Sequence, residues 1–122
     1  MSLVLVDKSA YVRGEAAMAD DDELCLCAVT RLEVLYSARS ASDYATLEDD
    51  LDQFRELWMD AETFALAVSA QRELAAHGRH RLPIPDLLIA SCAHQHGAEV
   101  LHVDRHYEAL AGVLAFTPRR LA

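Results

Sequence analysis

Short apolar runs alternate with helical patterns along this chain, and this alternation constrains its fold more than any other feature. Residues 3–6, 24–29 and 99–103 are rich in apolar side chains and predict buried strands, with a further short strand at 113–116. Strands that alternate with helices indicate a parallel sheet covered on both faces, which is a three-layer α/β/α fold. Because there is no internal repeat and no linker, residues 1–122 are expected to form a single domain.

The helices between these strands are predicted from apolar spacing and from capping residues. Apolar side chains three and four residues apart from Tyr44 to Trp58 predict a helix over 43–58 with one buried face. Asp60 is the expected cap of a helix over 62–77, which Gly78 would end. The other predicted helices are a short one from Ser9, one from Thr30, one entered through residues 83–86 and ending near His96, and a short one ending near Leu110.

Acidic residues outnumber basic ones, and the formal net charge is −9. This balance argues against nucleic-acid binding through a broad basic face, because phosphate affinity normally comes from Lys and Arg. The objection weakens if the acids are concentrated at a metal site, since a bound divalent cation reverses the local field and contacts phosphate itself. The same charge favours a basic protein partner. The acidic run at 20–23 is predicted to be a solvated loop.

No apolar run approaches the roughly 20 residues that a membrane helix needs, so no membrane association is expected. The N-terminus lacks the basic region of a secretion signal, and Asp7 interrupts the apolar run at 3–6, which favours a cytoplasmic location. The three cysteines are odd in number and have no C-x-x-C spacing. They are therefore predicted to be small buried hydrophobes rather than disulfide or zinc-site residues.

Acidic side chains follow the predicted strands at the points where ligand sites form. Asp7, Glu33 and Asp104 come directly after a strand or within one helical turn of its end. The carboxyl ends of parallel strands share one edge of the sheet, where ligands bind. Asp86 joins this group if the N-terminus of its helix points to the same edge. Carboxylates that share a cleft repel one another unless a cation is bound, and an all-oxygen ligand set favours Mg²⁺, with Mn²⁺ as a substitute.

Each of these carboxylates also has a structural interpretation. Glu33 would complete a capping box with Thr30, three residues before it, and the three aspartates would favour helix N-termini through the helix dipole. Both interpretations stay open for any one residue, although four such acids on one sheet edge would be a coincidence. With one or two bound ions, the site would activate a water and stabilise the leaving oxygen in phosphodiester hydrolysis.

The six histidines and the few basic clusters offer weaker signals. His94 and His96 lie two residues apart on a predicted helix and point in different directions, so they are not expected to form a joint metal site. His106 is the histidine to be tested as a pocket residue. Arg79 and Arg81 flank a histidine in a basic cluster that either guides RNA toward the carboxylates or forms a solvated loop.

Four segments resemble the successive motifs of PIN-domain nucleases. They are LVLVDKS at 3–9, AVTRLEVL at 28–35, PIPDLLIAS at 83–91 and LHVDRHY at 101–107. The similarity covers essentially the whole chain in the order and spacing of the family, and the nearest likeness is to the VapC-type toxins of bacterial toxin–antitoxin pairs. It implies a PIN-like α/β/α fold and a metal-dependent endoribonuclease. It also implies that the chain is a toxin with a cognate antitoxin as partner, and that it forms a homodimer.

The resemblance assigns roles to individual side chains. The residues that match the catalytic acids of the family are Asp7, Glu33, Asp86 and Asp104. The expected metal ligands among them are Asp7, Asp86 and Asp104. Ser9 matches a small hydroxyl residue that supports the site, and Thr30 and His106 are further expected supporting residues. The residues expected to contact RNA are Lys8, Arg79, Arg81 and Arg105.

Two positions depart from the family pattern. Many relatives carry a second acid two residues after the position of Asp104, and this chain has His106 there. The number of bound ions, one or two, is therefore left open. Lys8 stands where a hydroxyl residue is frequent, and it either tethers a phosphate or pairs with a carboxylate of the site.

Two other classes of protein also gather acidic residues at strand ends. A non-catalytic PIN-like module would bind RNA or protein, and its carboxylates would serve as helix caps or receive an arginine from a partner. A phospho-acceptor receiver domain would show paired acids after the first strand and a central acceptor aspartate, and neither is evident. The complete set of four carboxylates favours the enzyme over both.

Overall fold

The computed structural model describes residues 2–12 and 22–121, and these residues contain a five-stranded parallel sheet. The strands are β1 (Leu3–Val6), β2 (Glu23–Leu26), β3 (Arg55–Glu56), β4 (Glu99–His102) and β5 (Thr117–Arg120). They lie in the order β3-β2-β1-β4-β5. The chain builds outward from β1 first on one side and then on the other, which creates a switch point between β1 and β4. Ligand sites of open parallel sheets form at such points, beyond the carboxyl ends of the strands.

Helices cover both faces of this sheet. Among the described residues they are α1 (Lys8–Tyr11), α2 (Ala28–Tyr36), α3 (Ala41–Leu51), α4 (Ala61–Ala75), α5 (Ile84–His96) and α6 (His106–Leu110). Leu5 and Cys25 belong to the core formed with α4 and α5, whereas Val4 and Leu26 belong to the core formed with α2 and α3. Successive strand residues point to opposite faces of a sheet. The fold therefore has the three α/β/α layers that the sequence predicted.

The two longest helices begin and end close to where the sequence predicted. The Asp60 side chain caps α4 by accepting from two backbone N–H groups of its first turn. Gly78 follows the end of α4 with φ +69°, and Gly97 ends α5 with φ +66°. Positive φ values of this size favour glycine, which has no Cβ to clash. The predicted strand at 99–103 and the short helix ending at Leu110 are also confirmed, as β4 and α6.

Two other expectations concern the cysteines and helices that could cross a membrane. The three cysteines are free and buried, as predicted. Within residues 2–12 and 22–121 we find no helix with the length and apolar character that a bilayer crossing requires.

The predicted strand at 24–29 is too long, because the helix after it begins earlier than expected. β2 ends at Leu26, Cys27 is the N-cap of the next helix, and α2 begins at Ala28. Thr30 is buried within the first turn of α2, so its predicted role as a helix cap is wrong. An apolar run of this length does not distinguish a strand that continues from a buried first helical turn.

The apolar stripe from Tyr44 to Trp58 does not form one helix. α3 ends at Leu51 and the chain becomes extended in β3, which pairs with β2. Leu57 then enters the core, and Trp58 is exposed. The three-and-four spacing thus continues past the end of the helix by coincidence, and the prediction was wrong for residues 52–58.

The last strand lies at Thr117–Arg120 and not at the predicted 113–116. Within the described residues, β5 pairs only with β4, and it contains Pro118. Proline has no N–H to donate and is tolerated on an edge strand. This strand carries two arginines and a threonine, so apolar patterning gives no signal for it.

The predicted acidic loop at 20–23 is wrong for its second half. Glu23 is the first residue of β2, and the side chain of Asp22 is buried with Oδ2 2.7 Å from Nη1 of Arg119. Asp20 and Asp21 lie outside the described residues. An ion pair formed by residues 97 positions apart has no signature in the local sequence.

Candidate active site

Asp7 ends β1 beside the switch point, and donors from two segments fix its orientation. The buried side chain caps α1, since Oδ2 accepts from the backbone N–H of Ser9 at 3.0 Å and from the Ser9 hydroxyl. Oδ1 accepts from the hydroxyl of Tyr107 at 2.7 Å. The Ser9 hydroxyl oxygen in turn accepts from the backbone N–H of Val103 at 3.1 Å. These bonds tie the end of β1 to the segment that follows β4.

Asp104 follows β4, and a histidine joins it to Asp86. Oδ1 of Asp104 accepts from the backbone N–H of His106 at 3.0 Å and lies 2.8 Å from His106 Nδ1. The same Nδ1 lies 2.9 Å from Oδ2 of Asp86. The half-buried imidazole of His106 therefore sits between two carboxylates that are 18 positions apart in the sequence.

Asp86 lies in the first turn of α5, where only 7% of the residue is exposed. Burial, together with the negative charges of Asp7 and Asp104, raises the pKa of its carboxyl group to about 6, and the hydrogen bond with His106 opposes this shift. Asp86 thus points into the group formed by the other two aspartates. The N-terminus of α5 therefore lies at the carboxyl edge of the sheet, which sequence spacing alone left open.

Glu33 reaches the same group from α2. Burial raises the pKa of its carboxyl group, the charges of Asp7 and Asp86 add to this effect, and Lys8 opposes it. Because Thr30 lies inside the helix and not at its cap, the capping-box interpretation of Glu33 is wrong. Glu33 thus lies near the aspartates without serving as a helix cap.

The four basic residues expected to contact RNA lie in three different segments of the chain. Lys8 lines a shallow cavity of about 370 Å³ together with Leu32, Glu33 and Tyr36. Arg105 is exposed between Asp104 and His106 in the chain. Arg79 and Arg81 are exposed in the loop that leads into α5, seven and five residues before Asp86. Lys8 therefore lies beside Glu33, Arg105 follows Asp104 directly in the chain, and the other two arginines lie in the loop before α5.

The structure brings the four carboxylates together, and two of the three expected supporting residues contact them. Ser9 and His106 contact site carboxylates directly, but the Thr30 hydroxyl lies 3.8 Å from the Cys27 sulfur instead. The motif at 101–107 predicts no role for Tyr107, whose hydroxyl donates to Asp7. The signal for this role was a tyrosine on the short helix after Asp104, because a tyrosine hydroxyl that becomes buried requires a hydrogen-bond partner.

Three other histidines, His94, His96 and His102, make separate contacts. Nε2 of His96 lies 2.8 Å from the Trp58 carbonyl oxygen, and Nδ1 of His94 accepts from the backbone N–H of Ala115 at 2.8 Å. They share no site, as the sequence predicted. His102 is buried, and its Nδ1 accepts from the backbone N–H of Asp104 at 3.1 Å.

The donor set at this edge fits a divalent cation. One ligand atom each from Asp86, Asp104 and His106 falls within 4.8 Å of the others, and Asp7 and Glu33 add negative charge around them. Carboxylates packed this closely destabilise one another unless a positive charge joins them. Oxygen-rich sites of this type bind hard divalent ions, which in turn contact phosphate groups.

Comparisons with known proteins agree with this arrangement. The family model described as "PIN domain" matches residues 4–113. Ribonuclease VapC17 of Mycobacterium tuberculosis is 42% identical over 120 residues, which cover 93% of this chain and 90% of the relative. Ribonuclease VapC18 of the same species is 44% identical over 119 residues, which cover 88% of this chain and 87% of the relative. The similarity thus spans nearly the full length of both proteins.

Solved structures share the fold at lower sequence identity. VapBC2 from Rickettsia felis, bound to a DNA fragment from its promoter, superposes with a TM-score of 0.79 at 14% identity, covering 98% of this chain and 99% of that one. A chain of VapBC-5, a toxin–antitoxin system of Mycobacterium tuberculosis, gives a TM-score of 0.74 at 22% identity, covering 99% and 100%. Together with the family match and the identities above 40%, these findings show that the chain belongs to the PIN-domain family, among its VapC-type members.

Proposed function

We propose that this chain is a metal-dependent endoribonuclease that hydrolyses RNA phosphodiester bonds, and that it is the toxin of a toxin–antitoxin pair. The observation that carries the proposal is the meeting of Asp7, Glu33, Asp86 and Asp104 at one edge of the sheet, in a chain 42–44% identical to ribonucleases. Residues 1–122 act as one nuclease unit. A divalent ion, Mg²⁺ or Mn²⁺, is the proposed cofactor.

The four carboxylates have two roles in this proposal. Asp7, Asp86 and Asp104 would hold the divalent ion, which would supply a Lewis acid for the phosphate and would lower the pKa of a bound water. Ser9 and Tyr107 orient Asp7 through their hydrogen bonds. Burial raises the pKa of Glu33, which makes its carboxylate a better proton acceptor than an exposed glutamate. We therefore assign to Glu33 the removal of a proton from the attacking water.

The net charge of −9 is compatible with RNA binding if basic side chains lie at the rim of the site. Lys8 and Arg105 are adjacent to metal-binding aspartates in the sequence, and Arg79 and Arg81 are exposed in the loop before α5. We propose that these four side chains bind phosphates on either side of the scissile bond. The remaining acidic surface keeps RNA from binding elsewhere on the protein.

The purified protein is expected to cleave RNA in the presence of Mg²⁺ or Mn²⁺ and to stop when EDTA removes the ion. Cleavage should return when Mg²⁺ is added in excess of the chelator. Gel separation of labelled RNA fragments measures both steps. Cleavage that continues unchanged in EDTA would show that the carboxylates work without a metal, and it would contradict the proposed mechanism.

An exposed apolar surface next to the carboxylates supports a protein partner. Leu32 and Tyr36 lie one turn apart on α2, and they are 67% and 89% exposed. Both line the cavity that contains Lys8 and Glu33. A partner that covers this surface would reach the carboxylates, and an arginine would neutralise them through bidentate pairing. We propose a basic antitoxin that inhibits the enzyme in this way.

Co-expression with the product of the neighbouring reading frame is therefore expected to yield a complex without ribonuclease activity. Tyr36→Ser should weaken this complex, because it removes a large side chain from the proposed contact. Tyr44→Ser is the matched control, since Tyr44 is an exposed tyrosine on α3. Calorimetric titration of the two variants with the partner measures the difference. Equal affinities would place the contact elsewhere, and an unpartnered wild type that leaves growing cells unaffected would count against the toxin role.

A homodimer is the remaining part of the proposal. Phe64 and Val68 of α4 and Ile84 of α5 are large, exposed and apolar, and they line one shallow cavity. Contiguous exposed apolar side chains are typical of interaction surfaces. We assign this patch to contact between two copies of the chain, separate from the antitoxin surface on α2.

A further inference from the structure

His106 lies at the centre of the carboxylate group and has no part in the mechanism given above. Its Nδ1 atom is 2.9 Å from Asp86 Oδ2 and 2.8 Å from Asp104 Oδ1. The backbone N–H of His106 also donates to Asp104 Oδ1, which fixes this oxygen relative to the ring. The ring nitrogen and the two carboxylate oxygens are therefore the three most closely grouped ligand atoms of the described site.

These distances match those between ligands of a single ion. Adjacent ligands of an octahedral ion with bonds of about 2.1 Å lie about 3 Å apart. A hydrogen bond explains only one of the two contacts well, because Nδ1 carries at most one hydrogen. The second carboxylate oxygen would then face the nitrogen with no proton between them. A cation bound to all three atoms satisfies both contacts at once.

We propose that Nδ1 of His106 is a direct metal ligand together with Asp86 and Asp104, so that the site prefers a first-row transition ion such as Mn²⁺ to Mg²⁺. This inference rests on the proposed metal-dependent function. Mg²⁺ favours an all-oxygen shell, whereas imidazole nitrogen is a good ligand for first-row transition ions. The ring binds as neutral imidazole, with its proton on Nε2.

The substitution His106→Asp separates a nitrogen ligand from a merely supporting side chain. It keeps a side chain of metal-binding type at this position and exchanges the nitrogen for oxygen. His77→Asp is the matched control, because it makes the same chemical change at an exposed residue after α4. Full-length proteins are stripped with EDTA, dialysed, and titrated calorimetrically with MnCl₂ and with MgCl₂. The Mn²⁺-loaded proteins are then examined by pulsed electron paramagnetic resonance.

The wild type and His77→Asp are expected to show a signal from ¹⁴N bound directly to Mn²⁺, and His106→Asp is expected to lack it. The preference for Mn²⁺, given as the ratio of the two dissociation constants, should fall about tenfold or more in His106→Asp, because loss of even indirect metal contacts costs about that much. Neither readout depends on RNA cleavage.

Mn²⁺ binding without a ¹⁴N signal in the wild type would overturn the inference and leave the proposed ribonuclease intact. An unchanged preference in His106→Asp would do the same. If neither ion binds the wild type, the metal site itself fails, and the proposed function fails with it.

Discussion

Asp86→Asn is expected to lower the rate of RNA cleavage by at least about 100-fold, comparable to removal of one group that stabilises charge in a transition state. The substitution keeps the size of the side chain and one of its two oxygens. It removes a negative charge from the centre of the carboxylate group, where Asp86 is 7% exposed. Single-turnover cleavage of labelled RNA at saturating Mg²⁺ measures the change. Asp104→Asn is expected to act in the same direction.

Asp49→Asn serves as the control for this experiment, because Asp49 is an exposed carboxylate on α3. It makes the same change in net charge and should leave the cleavage rate within about twofold of wild type, as for most surface substitutions. Near-normal rates in both Asp86→Asn and Asp104→Asn would contradict the enzyme and favour the non-catalytic binding module. The carboxylates would then serve to receive a partner's basic side chains.

Asp7 is a poorer choice for the decisive substitution, although it belongs to the same group. Its carboxylate caps α1 and accepts from the Ser9 and Tyr107 hydroxyls. Asparagine offers only one acceptor oxygen in place of two, so one of these donors would lose its partner. A buried donor without an acceptor costs about 1–3 kcal/mol. Loss of activity in Asp7→Asn would therefore mix an effect on the chemistry with an effect on the fold.

The parts of the fold that were predicted correctly are those with a local physical signal. The apolar run at 3–6 became a central strand, and the Asp60 cap and Gly78 bounded α4 as expected. The failures involve elements that depend on distant partners. β3 has two residues and exists because it pairs with β2, and β5 is a polar edge strand beside β4. Neither has the periodicity from which a strand is predicted.

The same distinction applies to the candidate site. The chain order of strands and acids was sufficient to group Asp7, Glu33 and Asp104 at one edge. The position of Asp86 depends on the direction of α5 relative to the sheet, which helix packing determines. The Tyr107 hydrogen bond to Asp7 joins residues 100 positions apart, and His106 meets Asp86 across 20. Such contacts result from the assembled layers, and no spacing rule predicts them.

The protein without metal is expected to carry a stability cost that comes from the same carboxylates. Burial, with the charges of Asp7 and Asp104, raises the pKa of Asp86 from 3.8 to about 6 in the folded state. The folded protein therefore binds this proton more tightly than the unfolded protein does. Protonation of Asp86 therefore stabilises the folded state, and this contribution is fully present below about pH 4 and is lost as the pH rises through about 6. A pKa shift of this size corresponds to about 3 kcal/mol in the free energy of unfolding.

Asp86→Asn removes the ionisation and therefore this pH dependence. In EDTA at pH 7.5 the variant is expected to melt at a higher temperature than the wild type, and the difference should shrink between pH 6 and pH 4 as wild-type Asp86 becomes protonated. Asp49→Asn should follow the wild type at every pH, since its carboxylate is exposed. Differential scanning calorimetry of the three proteins across this range measures the effect.

Bound metal should reverse the order of the melting temperatures of the wild type and Asp86→Asn. A divalent ion at about 100 times its dissociation constant adds about 2.7 kcal/mol to the free energy of unfolding, which for a domain of this size is a rise of several degrees in melting temperature. The wild type is expected to gain this increment, and Asp86→Asn to lose most of it. A carboxylate that only favours a helix N-terminus would behave in the opposite way, because its removal costs about 0.3–1 kcal/mol and no metal restores it. Two results together would therefore show that Asp86 only stabilises the fold. Asp86→Asn would melt below the wild type in EDTA, and neither Mg²⁺ nor Mn²⁺ would raise the melting temperature of the wild type. The opposite pattern would support a role for Asp86 in holding the ion.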